Sequence, residues 1–498
     1  MQGIDLSRFE PLGVEMAAVE GGGAISLTTP SGAGYLLLRG EEFQQVAAEW
    51  RDQDWLVLDA LNAGRYLQGV MLGFFTHSAL MQRADATSSE PPRPTLVAYM
   101  GILPGLPTRL SLPLDALGAE RLFLERTPGR LKSLILGEPV RLHELAGIAL
   151  GVKPTHAPQS TRLANLRLEH TQPDYPLDST PLVDELGQWT AREWAGRTTG
   201  PAELRARLHA DHSASGAGPK ATRSPVATDH RVRDRFDATG FFRVERAGGR
   251  YRLVDPAGRP FYSLGVDCVS PAIAAHTDGI EQLYAWLPPR DGKFAECWRA
   301  HNGRSYFDFL RANLIRAFGP SWRARWTEIT RTNLRRWGFN TVGNWSSERF
   351  ARGSGLPYVW PLEGFPTTHA TVFRDFPDVF SRDYERASRV FAQQLEAFAD
   401  EPNMIGYFLR NEPHWAFVDE INLAEHLLAT ARPLATRDAL VEFLSQRYGG
   451  DVRRLCHAWQ WPQDTRGSLP PPPTSWSHLA RPVERVASMS AVARSDLA

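Results

Sequence analysis

The residues best suited to chemistry lie in Gly406-Tyr-Phe-Leu-Arg-Asn411-Glu412-Pro413-His-Trp415, an apolar, strand-like run that ends abruptly in polar side chains. A carboxyl walled by Tyr407, Phe408 and Trp415 is expected to be desolvated, which raises its pKa and suits Glu412 to the work of a general acid. Arg410 works against this. With a strand period of two it shares the face of Glu412, and a nearby cation lowers a carboxyl pKa unless a bulge separates the pair. The plainer reading of the same residues is a loop ion pair between Glu412 and Arg410. Further polar and aromatic residues fall at the ends of other strand-like runs: Asp267, Asn344 with Trp345, and Glu363. Each has an ordinary structural use as well, Asp267 as a cap and a rim Trp as packing. His369 and His414 sit near the same ends without the spacing of metal ligands, so no metal is expected.

The elements that must carry these residues come from the hydrophobic pattern. Between Ala24 and His170 short apolar runs are cut by Gly, Pro and Asp, at 34–38, 55–58, 66–75, 95–103, 109–112, 131–136, 146–152 and 162–168. Eight such runs predict an N-terminal β-sandwich over residues 1–175, and it resembles the jelly-roll modules that accompany carbohydrate-active enzymes. Residues 176–235 read as a connection with a helical piece, 201–209, followed by a mobile small-residue stretch, 213–220. From Phe236 the rhythm becomes strands alternating with helices. A hairpin, 241–244 with 251–254, precedes an almost unbroken strand, 261–267, buried on both faces. A helix at 322–337, strands at 338–342, 356–362 and 403–409, and an amphipathic helix carrying Tyr384, Ala387, Phe391, Leu395 and Phe398 complete the series. The predicted fold class is therefore multidomain, a sandwich followed over 236–498 by the first half of a (β/α)8 TIM barrel.

Barrel enzymes place reactive groups at the carboxyl ends of strands, and Asn411-Glu412-Pro413 after a fourth strand resembles the retaining glycosidases of the large barrel clan. Around it, Arg259 to Cys268, Trp337 to Trp345, Phe376-Pro-Asp-Val-Phe380, and Phe443 to Trp459 with Tyr448-Gly449 are similar to β-agarases and β-galactosidase-like enzymes, of glycoside hydrolase family 50 or 42 type. Asp184-Glu-Leu-Gly-Gln-Trp189 with Trp194 is similar to the segment leading into their barrel. The resemblance spans roughly residues 180–460. It implies retaining cleavage of a β-glycosidic bond in a galactan-type saccharide, with Glu412 as acid/base and Asn411 steadying the 2-hydroxyl. Sugar contacts would come from the strand ends, Asp267 and Asn344 binding hydroxyls, Trp345 stacking on a pyranose face, and Glu363 and Trp415 also touching the substrate. No cofactor is implied.

Retention needs a second carboxylate, about 5–5.5 Å from the first, that attacks the anomeric carbon. In the clan resembled, this is a Glu ending strand seven. Only four strands are counted here and no further strand-helix unit follows through Ala498, so the expectation is a truncated chain or one completed by a second polypeptide, with Glu363 as the only local substitute. An open half-barrel exposes strand edges and favours self-association. The alternative function is a non-catalytic carbohydrate-binding protein. Composition excludes other classes: 56 basic residues balance 56 acidic ones, leaving no surplus for a nucleic-acid backbone. Three scattered cysteines make no disulfide framework. No apolar run approaches the length of a membrane span, and Met1 to Glu10 lacks the signature of a signal peptide. The expected location is cytoplasmic by default.

Overall fold

The computed structural model describes the chain apart from residues 1–2, 20–22, 29–33, 48–49, 51, 82–90, 119, 178–179, 217–235, 419–420, 463–470 and 484–485. Two compact units result. The first comprises residues 1–178, 366–388 and 412–498, and the second 179–365 and 389–411.

All eight strand-like runs before His170 are strands, and three others, Glu10–Leu12, Glu15–Ala18 and Ala24–Thr28, join them. They form a six-stranded and a five-stranded sheet in which every pairing is antiparallel. The alternation of Leu96–Ile102, buried at every second residue, shows how this sequence makes a sheet with one face turned to a core. One apolar cluster, including Leu27, Leu58, Phe74, Leu110, Ile135 and Leu163, is shared by both sheets.

A second cluster in the first unit is helical. Asp378, from the Phe376 to Phe380 motif, accepts hydrogen bonds from the backbone N–H groups of Ala435 (2.9 Å) and Thr436 (2.7 Å), capping the helix Ala435–Arg447 with a negative charge at its N-terminus. Tyr448 and Trp459, which the sequence analysis singles out, converge on one carboxylate. The Tyr448 hydroxyl and the Trp459 indole N–H (2.8 Å) both donate to Asp496, whose side chain is fully buried and paired with Arg447 at 2.8 Å. Those motif residues thus serve packing, because a buried charge persists only when it is paired and hydrogen-bonded.

In the second unit, the hairpin Arg243–Ala247 with Arg250–Val254 turns on Gly248 and Gly249, both at positive φ, as a tight two-residue turn demands. The expected strand 261–267 is not continuous. Pro260–Phe261 extends the hairpin sheet, and only Gly265–Val266 joins the parallel sheet. The cause is Asn340, whose side chain accepts from Leu264 N (2.8 Å) and donates to Tyr262 O (2.8 Å), replacing ladder bonds. Nor is this run buried on both faces, since Tyr262 is 67% exposed. The parallel sheet has four strands in sequence order, Gly265–Val266, Thr341–Val342, Tyr358–Pro361 and Met404–Phe408. Among the described residues it does not close into a barrel. Trp322–Arg336 is the expected helix, packed through Leu334 onto a core with Val342, Phe350, Tyr358 and Met404. The amphipathic run begins as the α-helix Arg382–Ala392 and tightens to a 3-10 turn at Gln393–Phe398.

The helix predicted at 201–209 continues to Gly216, so Ser213 to Gly216 are helical where a mobile stretch was expected. The remainder of that linker, 217–235, lies outside the described residues. Asp184 folds the barrel-entry motif into a turn by accepting from Leu186 N (2.9 Å) and Gln188 N (2.8 Å). Among the described residues no helix is long and apolar enough to cross a membrane.

Candidate active site

The ends of the first two parallel strands are tied to each other. Asp267 accepts a hydrogen bond from Asn344 N at 2.9 Å, and Cys268 N donates to Asn344 O at 2.7 Å. Gly343 makes room for this: a Cβ there would lie 1.9 Å from the Asp267 carboxylate. Asp267 is therefore spent, at least in part, on holding the next strand end. Ser346 completes the tie, donating to Gly343 O (2.8 Å) and accepting from Val269 N (3.0 Å).

Asn344 presents a side-chain oxygen that is buried without a hydrogen-bond partner among the described residues, which costs free energy unless a donor occupies the space in front of it. Trp345 follows at φ +56, 44% exposed, with its ring edge-on to Phe408 at 5.5 Å. One side of the indole is thus packed and the rest faces solvent. At the third strand end, Glu363 is exposed and is fixed by its backbone, its N–H donating to Gln394 Oε1 (3.0 Å) and its carbonyl accepting from Gln394 Nε2 (2.9 Å).

The fourth strand stops at Phe408, so the period of two no longer applies at Arg410 and Glu412. Arg410 lays its guanidinium 4.7 Å from the centre of the Phe365 ring. Asn411 is exposed and closes the second unit; Glu412, next in the chain, opens the last segment of the first. Glu412 has φ +39 and an exposed side chain. The burial expected for it is absent, and Tyr407, one of its supposed walls, is itself 40% exposed. Cys268, Trp345 and Glu412 are all non-glycine residues at positive φ shortly after parallel strands, a backbone cost that clusters at working sites.

Sequence reasoning missed the residues that fix the chain just after Glu412. Asp375, in the turn between Thr371–Phe373 and Phe376–Pro377, accepts from both His414 N and Trp415 N at 3.0 Å. Arg374, buried and at φ +49, donates to His414 O at 3.0 Å; desolvation holds its pKa below the ordinary guanidinium value. Rings then pin the two side chains, Phe123 against His414 and Phe376 against Trp415, each at 5.1 Å. A polar Arg-Asp pair between Phe373 and Phe376 marks the turn, but its partners lie 39 and 40 residues away. His369 is exposed, and among the described residues no three His, Cys, Asp or Glu side chains are grouped to hold a metal.

No family model matches the chain. Among curated proteins, β-agarase B of Vibrio sp. (strain JT0107) is 24% identical over 330 residues, covering 57% of this chain and 34% of its own. β-Agarase A of the same strain is 25% identical over 319 residues, covering 56% of this chain and 32% of its own. The chain spans about a third of the length of these relatives. The crystal structure of an agarase, AgWH50C, superposes with a TM-score of 0.54 at 20% identity, over 99% of this chain and 73% of that one, a likeness of fold. The resemblance to β-agarases read from the residues is borne out: this is a β-agarase-like chain.

Proposed function

We propose that the chain carries the acid/base half of a retaining glycoside hydrolase acting on β-glycosidic bonds of an agarose-type galactan. The observation that carries this is Glu412, a carboxylate-bearing residue at positive φ shortly after a parallel strand, in a chain similar to β-agarases. The four-stranded parallel sheet is read as strands one to four of a (β/α)8 barrel, and the N-terminal sheets as a jelly-roll-like accessory domain. In this reading Glu412 gives its proton to the glycosidic oxygen as the bond to the anomeric carbon breaks, and afterwards takes a proton from the water that releases the sugar. Asn411 binds the 2-hydroxyl, the unpaired Asn344 oxygen accepts a second hydroxyl, and Trp345 offers its free face to the ring.

The attacking carboxylate belongs, in this proposal, to strand seven of the complete barrel, supplied by further polypeptide. Strands five to eight would also provide the wall that Glu412 lacks. The test is release of reducing ends from agarose by the chain, alone and with the polypeptide that continues the barrel. Glu412→Gln is expected to lower the rate by about 10²–10⁴, the usual worth of a positioned acid/base. Agarose binding without turnover in either form, unchanged by Glu412→Gln, overturns the hydrolase reading and leaves a carbohydrate-binding protein.

A further inference from the structure

The outer face of the five-stranded sheet holds a cleft of about 340 Å³, far from the Glu412 segment in sequence and unused by the proposed reaction. Its position follows from register. Leu58, Ala60, Leu110 and Leu163 point into the shared core, so their neighbours Asp59, Leu61, Arg109, Arg162 and Ala164 point out. Segment 173–177 crosses this face as a strap. Tyr175 is tied to Ser111 by a hydroxyl-hydroxyl bond of 2.6 Å, and Arg109 donates to Asp174 O at 3.2 Å. The cleft opens between the strap and the sheet, with Pro107 and Pro176 at its edges.

Its charges are unevenly satisfied. Asp59 accepts from Arg109 Nε at 2.8 Å and from Asn165 Nδ2 at 3.0 Å, and lies 3.5 Å from Arg167. Asn165, at φ +54, sits where the ladder slips between Ala164 and Arg167. Such a bulge re-aims side chains, and here it turns the amide onto Asp59. Arg109 is shared between Asp59 and Asp174. The guanidinium of Arg162 alone, exposed at the cleft, has no hydrogen bond or ion pair among the described residues.

From this we infer that the cleft is a second saccharide site, selective for a sugar unit that carries a negative group, a carboxylate or a sulfate ester. The volume is within the range of small-ligand sites, about 300–1,000 Å³. The floor of Leu61 and Ala164 with Pro107 and Pro176 suits the C–H face of a pyranose. The Asp59 and Arg109 pair offers both an acceptor and a donor to its hydroxyls. The planar fork of Arg162 matches the two oxygens of a carboxylate or sulfate. The cleft shares no residue with the Glu412 segment, so it stands or falls independently of hydrolysis.

Calorimetric titration of the full chain tests this with three probes: digalacturonate, a sulfated carrageenan disaccharide, and neutral neoagarobiose. Both anionic probes, or one of them, should bind more tightly than the neutral one, and the preference should shrink as salt is raised. Arg162→Gln should weaken anionic binding about tenfold, as loss of a charge-assisted contact predicts, and leave neutral binding unchanged. Ala164→Trp, which fills the cleft, should abolish both. If none of the probes binds, if the neutral sugar binds as well as the anionic ones, or if Arg162→Gln leaves anionic affinity untouched, the inference is overturned.

Discussion

Replacing Asp375 by alanine should release the backbone that follows Glu412. The carboxylate accepts two backbone N–H groups, His414 and Trp415, both at 3.0 Å, at the start of the short 3-10 turn His414–Ala416. Hydrogen bonds to a charged partner contribute about 1.5–3 kcal/mol each when buried. Both residues are only half-buried, so a combined loss of about 2 kcal/mol is the realistic figure, and at 1.4 kcal/mol per tenfold this is about 30-fold in local opening. The assay is amide hydrogen exchange resolved by residue. In Asp375→Ala the His414 and Trp415 amides should exchange about 30-fold faster, and in Asp375→Asn, which keeps one acceptor, less than tenfold faster. The Ala416 amide, bonded to Pro413 O at 3.0 Å within the same turn, serves as the internal reference. Unchanged exchange at 414 and 415 in Asp375→Ala, with the rest of the map intact, would refute the clamp and its role in placing Glu412.

Gly343→Ala should weaken the tie between the first two parallel strand ends, since its Cβ would meet Asp267 Oδ1 at 1.9 Å and force that side chain off Asn344 N. A loss of about 1–2 kcal/mol in urea unfolding is expected, and Asp267→Ala made in the same background should then cost little more. Burial lowers the pKa of His426 from 6.5, so between that value and its folded one the unfolded chain binds more protons. Stability at this residue is complete above pH 6.5 and is lost as the pH falls below it. Urea midpoints from pH 7.5 down to about 5 should fall more steeply for the wild type than for His426→Gln; equal slopes would remove His426 as the cause.

Apolar runs cut by Gly, Pro and Asp were enough to find every strand of the two antiparallel sheets longer than five residues, whether buried in consecutive residues, as in Trp55–Asn62, or alternately, as in Leu96–Ile102. The parallel strands were legible as places and not as lengths. Asn340 takes over the ladder bonds beside Leu264, and nothing in the run from Phe261 to Asp267 announces a partner so far along the chain. A three-stranded sheet, Ala274–His276, Trp298–His301 and Arg304–Asp308, went unread because its strands are short and polar. Its one local signal was Asn302-Gly303, both at positive φ, a hairpin dipeptide. At the candidate site, Glu412 and Asn411 could be named from position, whereas the exposure of Glu412 depends on what stands opposite it. Asp375 could not be found at all, since its role is made by tertiary proximity alone.

The convergence on Asp496 bears on biosynthesis. Tyr448 and Trp459 direct their polar hydrogens to a carboxylate 48 and 37 residues further along, so the helical cluster stays incomplete on the ribosome until that stretch has emerged. The two antiparallel sheets, finished by residue 169, can close long before. A nascent chain arrested between these points would display a folded sandwich beside a molten helical segment, and chaperone recognition should concentrate on the latter.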